Sequence, residues 1–255
     1  MNNLFILVRA ELAEALKEYK FIWLTLFFST LGVTQPLINK YMDVILNHIG
    51  DTAGIVIDPN RQVPNATDVF LSTISGQFNQ IGLIILIISF MGLIATDRNS
   101  GMQDFILTRP VSLYSYLYSK LIGHWLISMF SISVGVLVSY LYTVYLFGTF
   151  SFLKLLGFLV LYSLWILYLI SLVILISTFV KNQILIAILT ITFAFFWIFT
   201  KNFSHALSQI VPAKILTLAE HQLLDLHELN YVSVFICLML TVLNISWAGA
   251  KFNKF

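Results

Sequence analysis

The chain has 255 residues, of which 59% are hydrophobic and only 10% charged, with 14 basic residues against 12 acidic ones. So few charges cannot clothe that much apolar surface in water, and the near-balance of sign leaves no basic face for nucleic acid. A soluble globular domain is excluded, and with a mean hydropathy of +0.90 the bilayer is the natural solvent.

A helix needs roughly 20 mostly apolar residues to cross a bilayer. Six stretches meet that requirement: 21–37, 73–95, 121–147, 155–180, 184–200 and 231–250. The expected fold class is all-α integral membrane, a single domain over 1–255 with no internal repeat. The one cysteine, Cys237, falls in the last stretch, so no internal disulfide forms.

Ahead of the first stretch, "LFILVRAELAEALKEYK" is too charged to span. Leu4, Val8, Leu12, Leu16 and Tyr19 recur near every fourth residue, while Glu11, Glu14 and Glu18 point elsewhere. The one-sided stripe predicts an interfacial helix over 1–20, the alternative being an extension of span one. The three glutamates and the lack of a small-residue cleavage site exclude a secretory signal. After residue 37, Asp58-Pro59-Asn60 and Pro64 predict an exposed, turn-rich loop to Ser72.

Span two begins with "STISGQFNQ". Helical spacing puts Thr73, Gln77 and Gln80 on one face. Polar groups at that depth must meet protein or water. They line a substrate path or serve as hydrogen-bond glue between helices.

"DRNSGMQDFILTRPVS", Asp97 to Ser112, is a polar insert between spans two and three. Ser100 and Gln103 form a capping-box pattern that opens a helix. Met102, Phe105, Ile106 and Arg109 then fall at i, i+3, i+4 and i+7, the anchor spacing of a helix seated in a partner's groove. Pro110 forces Arg109 out of the helical region and ends it. The insert is read as a short helix over 99–109, either docked on a partner or resting on the bilayer.

Further along, His124 and Asn244 are lone polar residues near the ends of spans three and six. Trp165 lies near the middle of span four, away from the interface that tryptophan prefers, and is expected to pack against another helix. "FAFFWIF", Phe193–Phe199, walls an apolar cavity or faces lipid. The segment 201–230 is semi-apolar and interrupted by Pro212, which predicts short helices dipping into the bilayer from outside. His221, Asp225 and Glu228 share a helical face there, but no fourth ligand accompanies them, and no metal is assigned.

With both termini inside, nine Lys and Arg fall on the inner side (Arg9, Lys17, Lys20, Arg98, Arg109, Lys120, Lys181, Lys251, Lys254). Five fall outside (Lys40, Arg61, Lys154, Lys201, Lys214). The excess predicts cytoplasmic termini. No phosphate-binding G-x-x-x-x-G-K-[ST] loop, H-E-x-x-H pair or catalytic triad pattern occurs. An intramembrane enzyme would need paired acids and histidines within the spans. An ATP-independent channel or carrier would need coupling groups at the midplane. The spans supply neither set.

Asp97, Arg98 and Gly101, then Arg109-Pro110-Val111-Ser112, then Lys120, resemble the permease subunit of type-2 ABC transporters. Leu113 departs from the arginine many members carry. "GVTQPL", "STISGQFNQIG" and "VPAKILTLAEH" are similar to a Gram-positive branch that includes exporters of phenol-soluble modulins. The resemblance implies six spans, an N-terminal interfacial helix, a coupling helix between spans two and three, and an outer helical hairpin between spans five and six. It also implies a second permease copy and two P-loop ATPase subunits, which bind the ATP and Mg; this chain carries no cofactor or catalytic site. Asp97, Gly101, Met102, Phe105, Ile106, Arg109 and Pro110 would carry the ATPase coupling. The cargo would be hydrophobic or amphipathic, a peptide toxin, antimicrobial peptide or drug-like molecule exported through the bacterial cell membrane.

Overall fold

The computed structural model describes residues 2–53, 64–101, 112–201, 210–224 and 231–252. Among these the chain is helical and has no strand. The helices long and apolar enough to cross a membrane are Lys20–Met42, Ala66–Asn99, Leu113–Phe147, Phe152–Phe179, Gln183–Thr200 and Tyr231–Lys251, spans one to six. An even number of crossings puts both termini on one face of the bundle, the terminal face; the opposite one is the far face.

Two helices outrun the apolar stretches that predict them. The helix of span one continues through Pro36 to Ala53, so the loop expected from residue 38 is helical for much of its length. Charge at Lys40 and Asp43 ends the apolar run, but 38–49 contains no glycine or proline to end the helix. Span three starts at Leu113, not 121. Ser112 caps it, its hydroxyl accepting the Ser115 amide at 3.1 Å.

Span two is regular only in parts. Thr73–Gly82 winds as a π-helix. A turn over 91–94 then separates the helix Leu83–Phe90 from the short helix Ala95–Asn99. Wider turns of this kind are uncommon and concentrate at functional sites.

Lipid tails are as apolar as leucine, so the bundle coheres through close packing. Spans one and three form its largest helix pair. They cross where Gly32 meets the Gly135 carbonyl, and where a Cβ on Gly135 would lie 2.7 Å from the Phe28 carbonyl oxygen. Span four is the most deeply enclosed of the six and span five the least. Trp165 is fully buried in span four and stacks on Tyr168 with ring centroids 5.7 Å apart. The helix Lys214–Leu223 lies against span four, burying Ile215, Leu216, Leu218, Ala219 and Leu223.

The N-terminal helix, Asn2–Lys17, packs along span three on only part of the stripe that periodicity predicts, through Val8 and Leu12. Leu16 and Tyr19 are exposed, and Glu11 turns inward among partly buried Leu7, Val8 and Leu12. A buried lysine on span three draws the carboxylate in and overrides the apolar pattern. Phe5 and Ile6 remain open on the other side, as suits a helix lying against lipid. Tyr19, at φ 57°, makes the bend into span one; a tyrosine in that left-handed region is a strained residue held by its surroundings.

Candidate functional site

Two places in the bundle gather chemistry. The first is an ionic node at the terminal face. Lys120 lies on the second turn of span three, where the helix has already entered the core, and it is 4% exposed. Its Nζ lies 2.9 Å from Glu11 Oε1 on the N-terminal helix and 2.9 Å from Asp97 Oδ2 at the end of span two. Tyr116, one turn earlier, donates its hydroxyl to the same Asp97 oxygen at 2.7 Å. His124 Nδ1 is 3.0 Å from the Lys120 carbonyl oxygen, and its ring meets Phe90 edge-on at 4.9 Å. One cation thus ties three elements together. A buried lysine is tolerable only when paired and hydrogen-bonded.

Burial pushes the Glu11 carboxyl above the usual carboxylate range, against the pull of Lys120. A carboxyl whose folded pKa is raised contributes fully to stability below its ordinary range, and that contribution is lost as pH rises through the raised value. Thermal melts of the purified protein from acid to neutral pH should therefore lose less stability in Glu11→Gln than in wild type. Parallel slopes for the two proteins would show that this carboxyl does not titrate as described.

The segment that leaves the node is anchored on its other side as well. Gln183 Nε2 donates to Thr96 Oγ1 at 3.0 Å, and Arg98 Nη2 to the Thr178 carbonyl at 3.4 Å. The end of span two is thereby tied to the turn between spans four and five. Ser100 ends the helix Ala95–Asn99, its hydroxyl donating to the Asp97 carbonyl at 3.2 Å, and most of the helix expected over 99–109 lies outside the described residues. Gly101 follows with φ +72°, a conformation that favours glycine. Met102, Phe105, Ile106, Arg109 and Pro110 lie outside the described residues.

The second place is a cleft of about 900 Å³ toward the far face, between the π-helical part of span two and the last turns of span five. One wall presents Ser75, Asn79 and Gln80. The other presents Thr192, Phe195, Phe196, Ile198 and Phe199, and Lys201 stands at its end. Part of the aromatic run of span five, Phe195, Phe196, Ile198 and Phe199, thus faces a cleft. Lys201 is paired with Glu220 of the helix Lys214–Leu223 at 3.1 Å.

The three polar residues expected on one face of span two part company, because a π-helix turns through fewer degrees per residue than an α-helix. Thr73 is fully buried and returns its hydroxyl to the Val69 carbonyl. Gln77 donates to Gln35 of span one at 3.1 Å, which ties two helices together. Gln80 alone reaches the cleft. His124 and Asn244, lone by sequence, both have partners, Asn244 donating to Ser171 of span four at 3.0 Å. Asp225 and Glu228 lie outside the described residues. Among those described, no three His, Cys, Asp or Glu side chains are grouped to hold a metal ion.

Sequence reasoning passed over Glu11, Tyr116 and His124 at the node, and Ser75, Asn79 and Lys201 at the cleft. The node's signal was hidden by the span boundary: read from 121, span three leaves Lys120 outside, whereas a helix that starts at Leu113 carries the lysine into the core, where it demands a nearby acid. The cleft had a partial signal in Gln80 and the aromatic run of span five, but α-helical spacing could not put Ser75 and Asn79 beside Gln80, because that stretch is a π-helix.

Comparison with known proteins gives two findings. A family model described as "ABC-2 family transporter protein" matches residues 5–255. A transmembrane protein of Bacillus subtilis (strain 168), YxlG, described as uncharacterized, is 30% identical over 261 aligned positions that take in the whole of both chains.

Proposed function

The chain belongs to the ABC-2 family of transporter proteins, and from that premise we propose that it is the permease of an ATP-driven exporter. It is a multi-pass membrane component of an ABC transporter, and it works with an ABC ATPase subunit. In our reading that ATPase is a separate P-loop protein present in two copies. It docks on the segment between spans two and three, at a cytoplasmic terminal face in the bacterial cell membrane.

The observation that carries this reading is the placement of the node. The segment emerges directly from Asp97, which Lys120 joins to span three and to the N-terminal helix. A push on that segment is transmitted to two helices at once, and through Thr96 and Arg98 to spans four and five. That is the mechanical requirement for turning ATPase closure into movement of a pathway.

The cleft supports a second permease copy in this reading. Gln80 is exposed within span two, and hydrocarbon cannot satisfy its amide, whereas the exposed Ser75 returns its hydroxyl to the Leu71 carbonyl at 2.9 Å. A second copy facing the cleft would cover them and enclose a pathway between the two chains. Its aromatic and polar walls suit an amphipathic cargo.

Capture of the ATPase from native membranes tests the reading. Phe105 and Ile106, on the apolar face predicted for the segment, are worth about 1.5–3 kcal/mol each if buried against a partner. The double variant Phe105→Ala, Ile106→Ala should insert normally and capture much less ATPase than wild type. ATP turnover by the pure chain alone, or undiminished capture by the variant, would sink the reading.

A further inference from the structure

Asn79 combines three properties found together nowhere else along the described cleft. It is 4% exposed, yet it lines the cleft. Its Oδ1 is fixed, accepting the hydroxyl of Tyr162 at 3.0 Å. Its Nδ2 has no hydrogen-bond partner within the described chain and is not sealed away from the cleft. Tyr162 reaches it from span four, where it is itself buried and stacked on Phe158 with centroids 5.3 Å apart. A tyrosine wedged in this way cannot swing, so it holds the amide in one orientation.

An amide N–H left without a partner in a low-dielectric cleft is a costly group, and any ligand that supplies an acceptor recovers that cost. Opposite it stand Phe195 and Phe196, which present rings but no donor or acceptor. The cation at the end of the cleft is already neutralised by Glu220. Gln80 also lines the cleft, but it is exposed and no hydrogen bond among the described residues fixes its amide, so the recognition chemistry that the fold holds in place is one uncharged acceptor next to an apolar body, with no ionic contact.

We propose that Asn79 is the residue by which this cleft selects its ligand, an amphipathic molecule carrying an uncharged carbonyl-type oxygen, and that Tyr162 positions the Asn79 amide. This deepens the permease reading by naming the ligand class of the cleft, and it rests on that reading for its physiological meaning. In this structure the Tyr162 hydroxyl donates to Asn79 Oδ1. With the oxygen engaged in that bond, the N–H is the end of the amide left to meet a ligand in the cleft. A carbonyl acceptor is thus favoured over a donor such as a free hydroxyl or ammonium.

The test uses the whole chain in lipid nanodiscs without any ATPase. Two probes share one pyrenyl-alkyl chain; one ends in an N,N-dimethylamide and the other in an isopropyl group of similar shape. Saturable energy transfer from tryptophan to pyrene, above that of empty nanodiscs, reads binding. Wild type should prefer the amide by about three- to tenfold, the worth of one net hydrogen bond. Asn79→Leu should abolish that preference while still binding the isopropyl probe. Tyr162→Phe should reduce the preference and leave the isopropyl probe unchanged, which a merely structural tyrosine would not do. The double variant Asn79→Leu, Tyr162→Phe leaves no orphaned hydroxyl; its isopropyl binding confirms that the cleft is intact.

Equal binding of the two probes by wild type, or an amide preference that survives in Asn79→Leu, overturns the proposal. The readout involves no ATPase, so it stands or falls separately from the capture experiment. Normal ATPase capture with no amide preference would reject this inference alone. An Asn79-dependent preference in a chain that captures no ATPase would keep the inference and reject the permease reading.

Discussion

Lys120→Met is expected to be among the most damaging single replacements in this chain. It removes the only cation that the described structure places within 4 Å of both Glu11 and Asp97, and leaves two carboxylates at 11% and 14% side-chain exposure. Breaking a buried ion pair from one side costs about 3–5 kcal/mol, because the surviving charge keeps its desolvation penalty and loses its compensation. The effect should appear as a large drop in melting temperature and in monodisperse yield, with the N-terminal helix detaching from span three. The cost lies in the orphaned charges and not in the loss of lysine, so the triple variant Lys120→Met, Glu11→Gln, Asp97→Asn should recover most of the stability. It should recover coupling less well, because the ionic tie is gone and the Tyr116 hydroxyl is what remains of the described links from span three to residue 97. A single Lys120→Met variant as stable as wild type would show that the node does not hold these helices together.

The second large effect is steric. Gly32→Val places a branched side chain against the Gly135 carbonyl and within about van der Waals contact of Ser139. These neighbours are largely backbone of span three, so no rotamer change relieves the clash, and the two spans must separate. Overpacking commonly costs about 1–3 kcal/mol, and a clash with backbone belongs at or beyond the upper end. Gly76→Ala is the internal control. A Cβ there meets nothing within 4 Å, so the change should be neutral, or stabilising by up to the ~1 kcal/mol that separates glycine from alanine in a helix. Equal melting temperatures for the two variants would refute the close crossing of spans one and three.

Neither of these effects is written in local pattern. Hydropathy locates the spans because transfer to the bilayer is a sum over neighbouring residues, and such a sum is read along the chain. It could not show that the helix of span one runs to Ala53, since hydrogen bonding continues after apolarity stops. It also pointed Glu11 away from the packed face of the N-terminal helix. Periodicity weighs only the helix's own residues, whereas its packing answers as well to Lys120, more than a hundred positions away.

What the sequence determined by itself was the solvent, the number of crossings and the residue types available at each face. Composition and run length also exclude the soluble alternatives, and the residues around Asp97 and Lys120 point to the transporter family. Only the tertiary structure decided which charges meet and which polar groups are left open. Lys120 finds its two acids, Gln77 is used up in tying spans one and two, and Asn79 is turned toward the cleft with Tyr162 behind it. The physical reason is that pairing energies in a low-dielectric interior depend steeply on distance. Those distances are set by how helices cross, at Gly32 and Gly135, and by one π-helical stretch that rotates everything before it.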